Sequence, residues 1–303
     1  MGTTASGKTS LAFDLRQILP IDIISVDSGL IYRDMNIGTD KPSSEELLKH
    51  PHDLVNIVDP VDIYSVANFK FDSSQAIQRI ICNHRIPILV GGTMLYYKVL
   101  LNGLINLPSS NHIFQSKIQK YIHQIKKITV HQYLHILDSR LAQTIHPNNV
   151  KKTLRAIEIT LHSKKALNLV KNKSYYHFPY KLFQFFLMPF TRKILHDRIE
   201  CRFHNMLKMG LEKEVKQLFL KYELNVNMPS MQRLGYREMC LYLSNQCTYD
   251  EMIYKSISST RQFAKRQITW SKKWDNLFIL NSENREQSIS IIKNIIDKYI
   301  TIN

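Results

Sequence analysis

The chain has 303 residues and 44% hydrophobic content, enough for one large globular domain or two moderate ones. No apolar run is long enough to cross a bilayer, and no basic-then-apolar leader is present, so the sequence predicts a cytoplasmic protein rather than a membrane-embedded or exported one. Its four cysteines form no C-x-x-C pair, which predicts reduced and mostly buried thiols.

The charge of the chain favours a polyanionic partner. Lys and Arg number 41 against 25 Asp and Glu, a net charge of +16. The excess is concentrated, since residues 111–180 hold twelve basic and two acidic residues, an excess of ten. A lysine-rich compositional bias would spread the excess evenly over the surface. The concentration therefore favours a nucleic-acid-binding region in this part of the chain.

The stretch Gly-Thr-Thr-Ala-Ser-Gly-Lys-Thr at residues 2–9 matches the phosphate-loop pattern G-x-x-x-x-G-K-[ST]. In this pattern the glycines let backbone amides face phosphate oxygens, Lys8 neutralises them and Thr9 supplies a magnesium ligand. A helix predicted over residues 10–19 would place its positive end at the phosphates. The sequence therefore predicts a phosphate-binding site close to residue 1.

Two further expectations concern the same stretch. Met1-Gly2 followed by Ser6 also fits a myristoylation acceptor pattern, but a glycine buried in a phosphate loop would be unavailable for it. Phosphate loops normally follow a buried strand, and only Met1 precedes this one. We expect either an earlier start about ten residues upstream that restores the strand, or a sheet that lacks it.

Two buried strands follow, and each ends at a polar residue. Ile21–Val26 leads to Asp27, and Ile88–Val90 leads through a Gly-Gly turn to Thr93 and a helix over 94–101. Ligands bind at the carboxyl ends of parallel strands, so both polar side chains should lie on the edge that carries the phosphate loop. Apolar spacing predicts two more helices, at 43–50 and 65–84, the second with Phe69, Ile77, Ile80 and Ile81 facing the core.

From residue 107 to residue 180 the pattern changes to helices without strands. We predict an all-helical basic insertion over 107–180, between a first core segment at 1–106 and a second at 181–303. His131 and His135 have helical i, i+4 spacing, but without a carboxylate partner pattern a zinc site is not expected. A helix starting after 147–149 should turn Leu154, Ile157 and Leu161 inward and Lys151 and Arg155 to another face.

After the insertion the chain returns to the sheet. Strands are predicted at 182–188 and 277–280, and helices at 191–209, 211–222, 235–243, 249–274 and 286–300. In the helix over 191–209, Arg198 and Arg202 lie one turn apart, while Ile199, Phe203 and Met206 face inward. The fold class predicted is α/β, with a parallel-sheet core like that of P-loop NTPases and an inserted all-helical domain.

These motifs together resemble those of the tRNA dimethylallyltransferases, also called tRNA isopentenyltransferases. The matching stretches keep their order along the chain at residues 2–9, 24–28, 34–42, 90–96, 146–148, 198–203, 234–237 and 260–270. They include Asp-Met-Asn-Ile-Gly-Thr-Asp-Lys-Pro, Leu-Gly-Tyr-Arg and Thr-Arg-Gln-Phe-Ala-Lys-Arg-Gln-Ile-Thr-Trp. The resemblance therefore covers essentially the whole chain and is much more specific than a phosphate loop alone.

The resemblance implies transfer of a dimethylallyl group from its diphosphate to N6 of the adenosine immediately 3′ of the anticodon in tRNA. Asp27 matches the general base that accepts the N6 proton. Lys8, Arg202 and Mg²⁺ held partly by Thr9 match the groups that stabilise the leaving diphosphate, and Thr93 matches a residue near the reacting centre. The implied partners are dimethylallyl diphosphate and the tRNA anticodon stem-loop, and we expect a monomer.

The resemblance also implies two binding surfaces. The diphosphate would lie on Gly2, Thr3, Thr4, Ala5, Ser6, Gly7, Lys8 and Thr9. RNA, with the target adenosine unstacked into the pocket, would contact Asp27, Ser28, Gly29, Leu30, Thr93, Gln115, Lys151, Lys152, Thr153, Leu154, Arg155, Gln232, Arg233, Leu234, Gly235, Tyr236, Arg237, Lys265, Arg266, Gln267, Ile268, Thr269, Trp270, Ser271 and Lys272. The chain departs from the family pattern at Thr3, where proline is common, and at Gln115 and Gln232, where basic residues are frequent.

Three rival functions stay open at this point. Asp27 is also the residue expected to bind magnesium in a phosphate-loop kinase of small molecules, which would consume ATP. A prenyltransferase of free adenine nucleotide would use the same loop, but neither enzyme needs a basic insertion. A tRNA-binding remnant without activity would keep the insertion. Arg198, Arg202 and the basic residues near Arg261 could equally form ordinary solvated faces.

Overall fold

The computed structural model describes residues 1–104, 111–126, 128–163 and 178–300. The chain forms two compact units. One comprises Met1–Leu100 together with Pro179–Asn303, and the other comprises Leu101–Phe178. Among the described residues, all strands belong to the first unit and the second unit is helical.

Parallel strands form the centre of the first unit. β1 (Ile21–Val26) lies between β2 (His52–Asp53) and β3 (Ile86–Gly91), and β4 (Gln184–Met188) pairs with β5 (Leu277–Asn281). β1 is a largely continuous apolar run rather than an alternating one, and five of its six residues are buried, as expected of a strand covered on both faces. The predicted parallel α/β class is confirmed. β2 was not predicted, since two residues carry no hydrophobic period.

The first three residues of the chain tie the phosphate loop to β4. The Met1 amino group donates to the Phe185 carbonyl at 2.8 Å, and Leu187 N and Thr3 N close two further backbone bonds, to the Met1 and Leu187 carbonyls. Burial, and then the charge of Lys8, lower the pKa of the Met1 amino group to about 5. Gly2 is buried against β4 in this arrangement, as the phosphate-loop interpretation requires.

The helices predicted with bounds match the observed positions to within a few residues, and those between residues 112 and 143 fall in the segment predicted only as helical. They are α1 (Lys8–Ile18), α2 (Ser44–Lys49), α3 (Val66–Cys82), α4 (Met94–Asn102), α5 (His112–Tyr121), α6 (Val130–Leu137), α7 (Ser139–Gln143), α8 (Val150–Ser163), α9 (Arg192–Lys208), α10 (Leu211–Lys221), α11 (Tyr236–Leu243), α12 (Tyr249–Ser271) and α13 (Arg285–Ile300), with a π-helix at Ile122–Lys126. Ser43, Ser65 and Thr248 form capping boxes that satisfy the first amides of α2, α3 and α12. None of the described helices is both long and apolar enough to span a bilayer.

Two hydrophobic clusters support the first unit. One packs α1 and α13 against both groups of strands through Leu15, Leu187 and Ile292. The larger one packs α9, α10, α11 and α12 around the loop that follows β1, with Tyr32 and Phe203 among its members. The phosphate loop therefore lies where the sheet, α1 and the helical cluster meet.

Several burial predictions were wrong. Ile81 and Leu161, expected on core-facing stripes, are 37% and 41% exposed because each lies at the edge of its helix's apolar face.

Of the free cysteines, Cys82 and Cys201 are exposed and only Cys240 is fully buried. Ile199, Phe203 and Met206 are buried as predicted, and burial together with Glu238 raises the pKa of Cys240 to about 11.

The second unit has its own core of Ile122, Leu134 and Ile157, with partly buried side chains packed around it. His131 Nε2 lies 3.1 and 2.9 Å from the carbonyl oxygens of Ala142 and Ile145, which accounts for the ring without a metal. No group of three metal-ligating side chains occurs in the described ranges. Residues 105–110, 127 and 164–177 lie outside the described part of the chain, and with them Lys127, Lys164, Lys165, Lys171 and Lys173 of the basic excess.

Two histidines after α2 pack on the phosphate-loop helix. His50 stacks on Phe13 of α1 with ring centroids 4.4 Å apart, and His52 meets the same ring edge-on at 5.5 Å. His50 is 6% exposed. Burial, and then Arg16 and Lys49, lower its pKa from the ordinary 6.5, against the opposing effect of Glu46 and Asp14. The unfolded chain therefore binds more protons at this site than the folded chain does.

We expect this contact to make the fold acid-sensitive. The contribution of neutral His50 to the free energy of unfolding is fully present above the ordinary pKa of histidine. It is lost as pH falls below that value and through the lowered pKa of the folded state. In His50→Phe, which keeps a ring on Phe13, Tm should fall less between about pH 7.5 and about pH 5.5 than in the wild type. Thermal unfolding monitored by circular dichroism measures the difference. The exposed His204→Phe is the control, and equal losses of Tm in all three proteins would contradict the prediction.

Candidate functional site

The phosphate loop is curled into a compact turn before α1. Ala5 and Gly7 adopt positive φ of 57° and 80°, and Gly7 accommodates this because it has no Cβ. Ser6 Oγ and Lys8 Nζ both donate to the Thr3 carbonyl, at 2.8 and 2.5 Å. The lysine therefore lies across the loop, where its charge and the loop amides could bind the same anion.

Two cations, Lys8 and Arg202, lie at the phosphate loop. Burial, and then the charge of Arg202, lower the pKa of Lys8 to about 8, while Asp27 and Asp40 act in the opposite direction. Two cations held this close repel each other unless an anion lies between them. The arrangement therefore favours a bound anion such as a phosphate or diphosphate group.

Arg202 reaches the loop from α9. Its Nη1 donates to Thr4 Oγ1 at 3.1 Å, its Nη2 donates to the Thr39 carbonyl at 3.4 Å, and its Nε lies 3.4 Å from Asp40 Oδ2. Arg198, one turn earlier, instead donates to Ser282 Oγ at 2.8 Å. The two arginines that the sequence placed on one helix face therefore have different neighbours, and of the two only Arg202 contacts Thr4.

Asp27, Ser28 and Thr93 lie together at the carboxyl ends of β1 and β3. Asp27 Oδ1 accepts from Gly29 N at 2.8 Å, and Ser28 N donates to Thr93 Oγ1 at 3.1 Å. Arg233, which the sequence grouped only with RNA contacts, donates from Nη1 to Ser28 Oγ at 2.5 Å. The strand register, with Val26 opposite Gly91, brings these side chains to one edge.

A cavity of about 270 Å³ opens on the other side of the loop. Its lining includes Ala5–Gly7 and Ser10 from the loop and α1, together with Arg198 and Arg285. Arg285 is paired with Asp14 and donates to the Ser10 carbonyl at 2.8 Å. This cavity is distinct from the edge that holds Asp27 and Thr93, neither of which lines it.

The comparison with known proteins agrees with this arrangement. A model of the IPP transferase family matches residues 30–274, well over half of the chain. The chain belongs to the IPP transferase family. The resemblance found in the sequence motifs is thereby confirmed.

Solved structures extend the match through the phosphate loop. The full-length tRNA isopentenylpyrophosphate transferase from Bacillus halodurans is 30% identical, with 99% of this chain and 96% of that chain covered and a TM-score of 0.71. The tRNA delta(2)-isopentenylpyrophosphate transferase from Staphylococcus epidermidis is 33% identical, with 99% and 97% covered and a TM-score of 0.72. A eukaryotic dimethylallyltransferase acting on tRNA is 25% identical, with 98% and 78% covered and a TM-score of 0.80.

The RNA contacts predicted for this IPP transferase family member divide by burial. Lys265, Arg266 and Thr269 are exposed on α12, as is Lys272 just after it, and Trp270 is half-buried with Lys98 Nζ 5.6 Å from its ring centroid. Gln232 and Arg237 are also exposed, whereas Leu30, Leu234 and Ile268 are partly buried. In the second unit Lys151 and Lys152 are exposed. The exposed members remain predicted RNA contacts.

Other members of that set have buried side chains. Gln267, Ser271, Tyr236, Thr153 and Leu154 are at most 7% exposed. Gly29 and Gly235 are buried as well. For the helix residues the reason is helical periodicity, because a continuous run of helix residues necessarily includes its inward face.

Gln115 and Arg155 meet at a buried carboxylate in the second unit. Glu158, 1% exposed, accepts from Gln115 Nε2 at 2.7 Å, from Arg155 Nη1 at 2.7 Å and from Asn111 N at 2.6 Å. These hydrogen bonds hold the pKa of Glu158 below its ordinary value despite its burial. The polar side chains of Gln115 and Arg155 therefore also hold α5 on α8.

Sequence reasoning missed Glu214, which binds the loop that contains Thr39 and Asp40, two of the partners of Arg202. Its carboxylate accepts from the backbone amides of Asn36, Ile37 and Gly38 at 3.0, 2.7 and 3.2 Å, and from Tyr236 Oη at 2.6 Å. Burial, and then this carboxylate, raise the pKa of Tyr236 well above its ordinary value. A signal existed, since position 214 lies on the apolar stripe formed by Leu211, Val215 and Leu218.

We expect Glu214→Gln to destabilise this family member by about 2 kcal/mol. A single amide oxygen cannot accept from both pairs of donors, and the new amide group faces N–H or O–H donors instead. Chemical denaturation measures the change in the free energy of unfolding.

The matched control is Glu212→Gln on the same helix. Glu212 is paired with Lys216 at the surface, so its loss should change the free energy of unfolding by only about 0.5 kcal/mol or less. Equal effects of the two substitutions would show that the carboxylate of Glu214 has no special importance.

Proposed function

We propose that this chain transfers a dimethylallyl group from dimethylallyl diphosphate to N6 of the adenosine immediately 3′ of the anticodon in tRNA, with release of diphosphate. The observation that carries the proposal is the meeting of a phosphate loop, two cations and the Asp27 carboxylate in an IPP transferase family chain. Family membership favours this reaction over the small-molecule kinase and the inactive remnant.

The phosphate loop would hold the diphosphate of the donor. Lys8 lies across the loop and donates to the Thr3 carbonyl, and Arg202 donates to Thr4 Oγ1. As the allylic C–O bond breaks, its electron pair leaves on the diphosphate, and these fixed cations stabilise the added negative charge. Burial, and then the charge of Arg202, lower the pKa of Lys8, and a bound diphosphate would favour the charged form of this lysine.

Mg²⁺ suits the same place. Magnesium binds through one or two protein oxygens together with phosphate oxygens and water, and needs no larger ligand cage. Thr9, partly exposed in the first turn of α1, would supply its hydroxyl. The ion would neutralise charge on the leaving diphosphate.

Asp27 is the group we propose as general base. Gly29 N holds Oδ1, while Oδ2 makes no hydrogen bond within the described ranges and is available to a substrate proton. The adenine amino group is a poor nucleophile because its lone pair is delocalised into the ring. Its nitrogen forms the new C–N bond as Asp27 accepts the proton, and Thr93, hydrogen-bonded to Ser28, lies beside the reacting groups.

Each unit carries exposed basic residues suited to an RNA backbone. In the first unit Lys265 and Arg266 lie on α12 and Lys272 directly follows it, and in the second Lys151 and Lys152 lie at the start of α8. Phosphate contacts of this kind supply affinity and orientation rather than base recognition. A substrate as small as a free nucleotide would leave them unused, which favours tRNA as the acceptor.

The reaction is tested with purified protein, dimethylallyl diphosphate, Mg²⁺ and unmodified tRNA that has adenosine 3′ of its anticodon. Mass spectrometry of the nucleosides should find dimethylallyl adenosine at that position, while AMP as acceptor gives none. Absence of the product with tRNA still bound would contradict the proposal, as would prenylation of AMP alone. Consumption of ATP without prenyl transfer would favour the kinase.

We expect Asp27→Asn to lower kcat about 10²- to 10⁴-fold, since a positioned base contributes on that scale. The asparagine retains an acceptor for Gly29 N, so the fold and the affinity for inorganic diphosphate should be little changed. Asp59→Asn is the control, because Asp59 forms only a surface ion pair with Arg33. Full turnover by Asp27→Asn would refute the assignment of the base.

A further inference from the structure

Gln267 is a polar residue in an apolar environment. It lies on α12, is 2% exposed, and shares the inward face of that helix with Ala264 and Ser271. A buried amide retains its polar atoms at a cost unless each finds a partner. Its location therefore calls for an explanation other than packing, and the sequence-based assignment to RNA contact does not supply one.

The two ends of the amide bind two segments that are distant in sequence. Its Oε1 accepts from Thr4 N in the phosphate loop at 2.8 Å, and its Nε2 donates to the Gly92 carbonyl at 2.9 Å. The bond to the Gly92 carbonyl is buried and the bond from Thr4 N is partly buried, and losing hydrogen bonds in such surroundings is costly. Gln267 therefore joins the phosphate loop to the turn after β3.

The turn after β3 is shaped to receive this amide. A Cβ on Gly92 would lie 2.3 Å from Gln267 Nε2, which is closer than non-bonded atoms approach. The absence of a side chain at Gly92 thus leaves the space that the amide fills. A side chain at position 92 would therefore force the amide of Gln267 to move.

Each segment held by Gln267 leads directly to a proposed reacting group. Thr4, whose amide binds the glutamine, accepts from Arg202 through its side chain. Gly92 is followed by Thr93, whose hydroxyl accepts from Ser28 N next to Asp27. One side chain therefore spans the donor half and the acceptor half of the site.

α12 gives this bridge a rigid base. Met252, Ile257 and Ala264 anchor the helix in the larger hydrophobic cluster of the first unit, at 7% exposure or less. Because the helix is packed in place, it fixes the position from which the Gln267 side chain extends. The amide is therefore fixed by the helix as well as by its two hydrogen bonds.

From these contacts we infer that Gln267 is a positioning residue that fixes the phosphate loop relative to the turn carrying Thr93. The inference rests on the proposed function, because the distance it sets is the one between the bound diphosphate and the acceptor side of the site. Catalysis by positioning is sensitive to displacements of about 1 Å, which can cost about 10²-fold in rate. Gln267 touches neither substrate and acts through Thr4 and Gly92.

The test compares the wild type with Gln267→Met, which keeps the length and volume of the side chain but removes both hydrogen bonds. Binding of inorganic diphosphate with Mg²⁺ is measured by calorimetry, and prenylation of tRNA by steady-state kinetics. We expect the dissociation constant for diphosphate to rise about tenfold, the loss of about one such hydrogen bond, and kcat to fall about 10- to 100-fold. KM for tRNA should be unchanged.

A stability control separates positioning from general loss of structure. Ile257 lies in the core on the same helix and forms neither of the two hydrogen bonds of Gln267. Ile257→Ala should destabilise the core while leaving both bonds in place. It should lower Tm at least as much as Gln267→Met and leave diphosphate affinity unchanged. Equal losses of diphosphate affinity in the two variants would overturn the inference, as would a Gln267→Met effect confined to KM for tRNA.

A second substitution tests the same contact from its other side. Gly92→Ala should displace the amide and weaken diphosphate binding in the wild-type background, but add little once Gln267→Met has removed the two bonds. Full additivity of the two substitutions would contradict the bridge. The binding measurements need no turnover, so a wild-type protein that fails to prenylate tRNA would refute the proposed function and leave the test of the bridge intact.

Discussion

The site depends on one constraint, which is that the short, glycine-containing phosphate loop must be fixed in one conformation by contacts with several surrounding elements. Backbone bonds from Met1 and Thr3 attach it to β4, Arg202 reaches Thr4 from α9, and α1 begins where the curl ends. A loop of this kind loses much conformational entropy when it orders, and only contacts from already rigid elements can offset that cost. The surrounding helices serve this purpose as much as they cover the sheet.

Buried polar side chains recur wherever the first unit must hold irregular backbone. Glu214 binds three consecutive amides after β1, Glu238 accepts from Gly235 N before α11, and Gln267 bridges two turns. The second unit uses the same principle, with Glu158 receiving three donors. Loops cannot satisfy their amides by a helix or sheet ladder, and an ionised or amide side chain from a packed helix supplies the missing acceptor.

Charge has two roles in this IPP transferase family member. Lys8 and Arg202 at the phosphate loop are partly buried and hydrogen-bonded to it, and burial, then the charge of Arg202, lowers the pKa of Lys8. Lys265 and Arg266 on α12, and Lys151 and Lys152 at the start of α8, are exposed. The first kind favours a single compact anion, and the second suits a long polyanion whose contacts are weak individually and screened by salt.

The sequence by itself determined the class of the fold, the strands leading to Asp27 and Thr93, most helix positions and the family. Apolar periodicity and glycine spacing are local properties, and the order of the motifs along the chain needs no structure to be read. It could not assign Gln267, Tyr236 and Thr153, because residues of one helix motif point in different directions and the packing partners lie far away in sequence. Only the tertiary structure decided that Glu214 faces three loop amides, that Arg198 and Arg202 differ in their neighbours, and that Gln267 joins Thr4 to Gly92. Each of these depends on a distance between segments more than eighty residues apart, which no local pattern encodes.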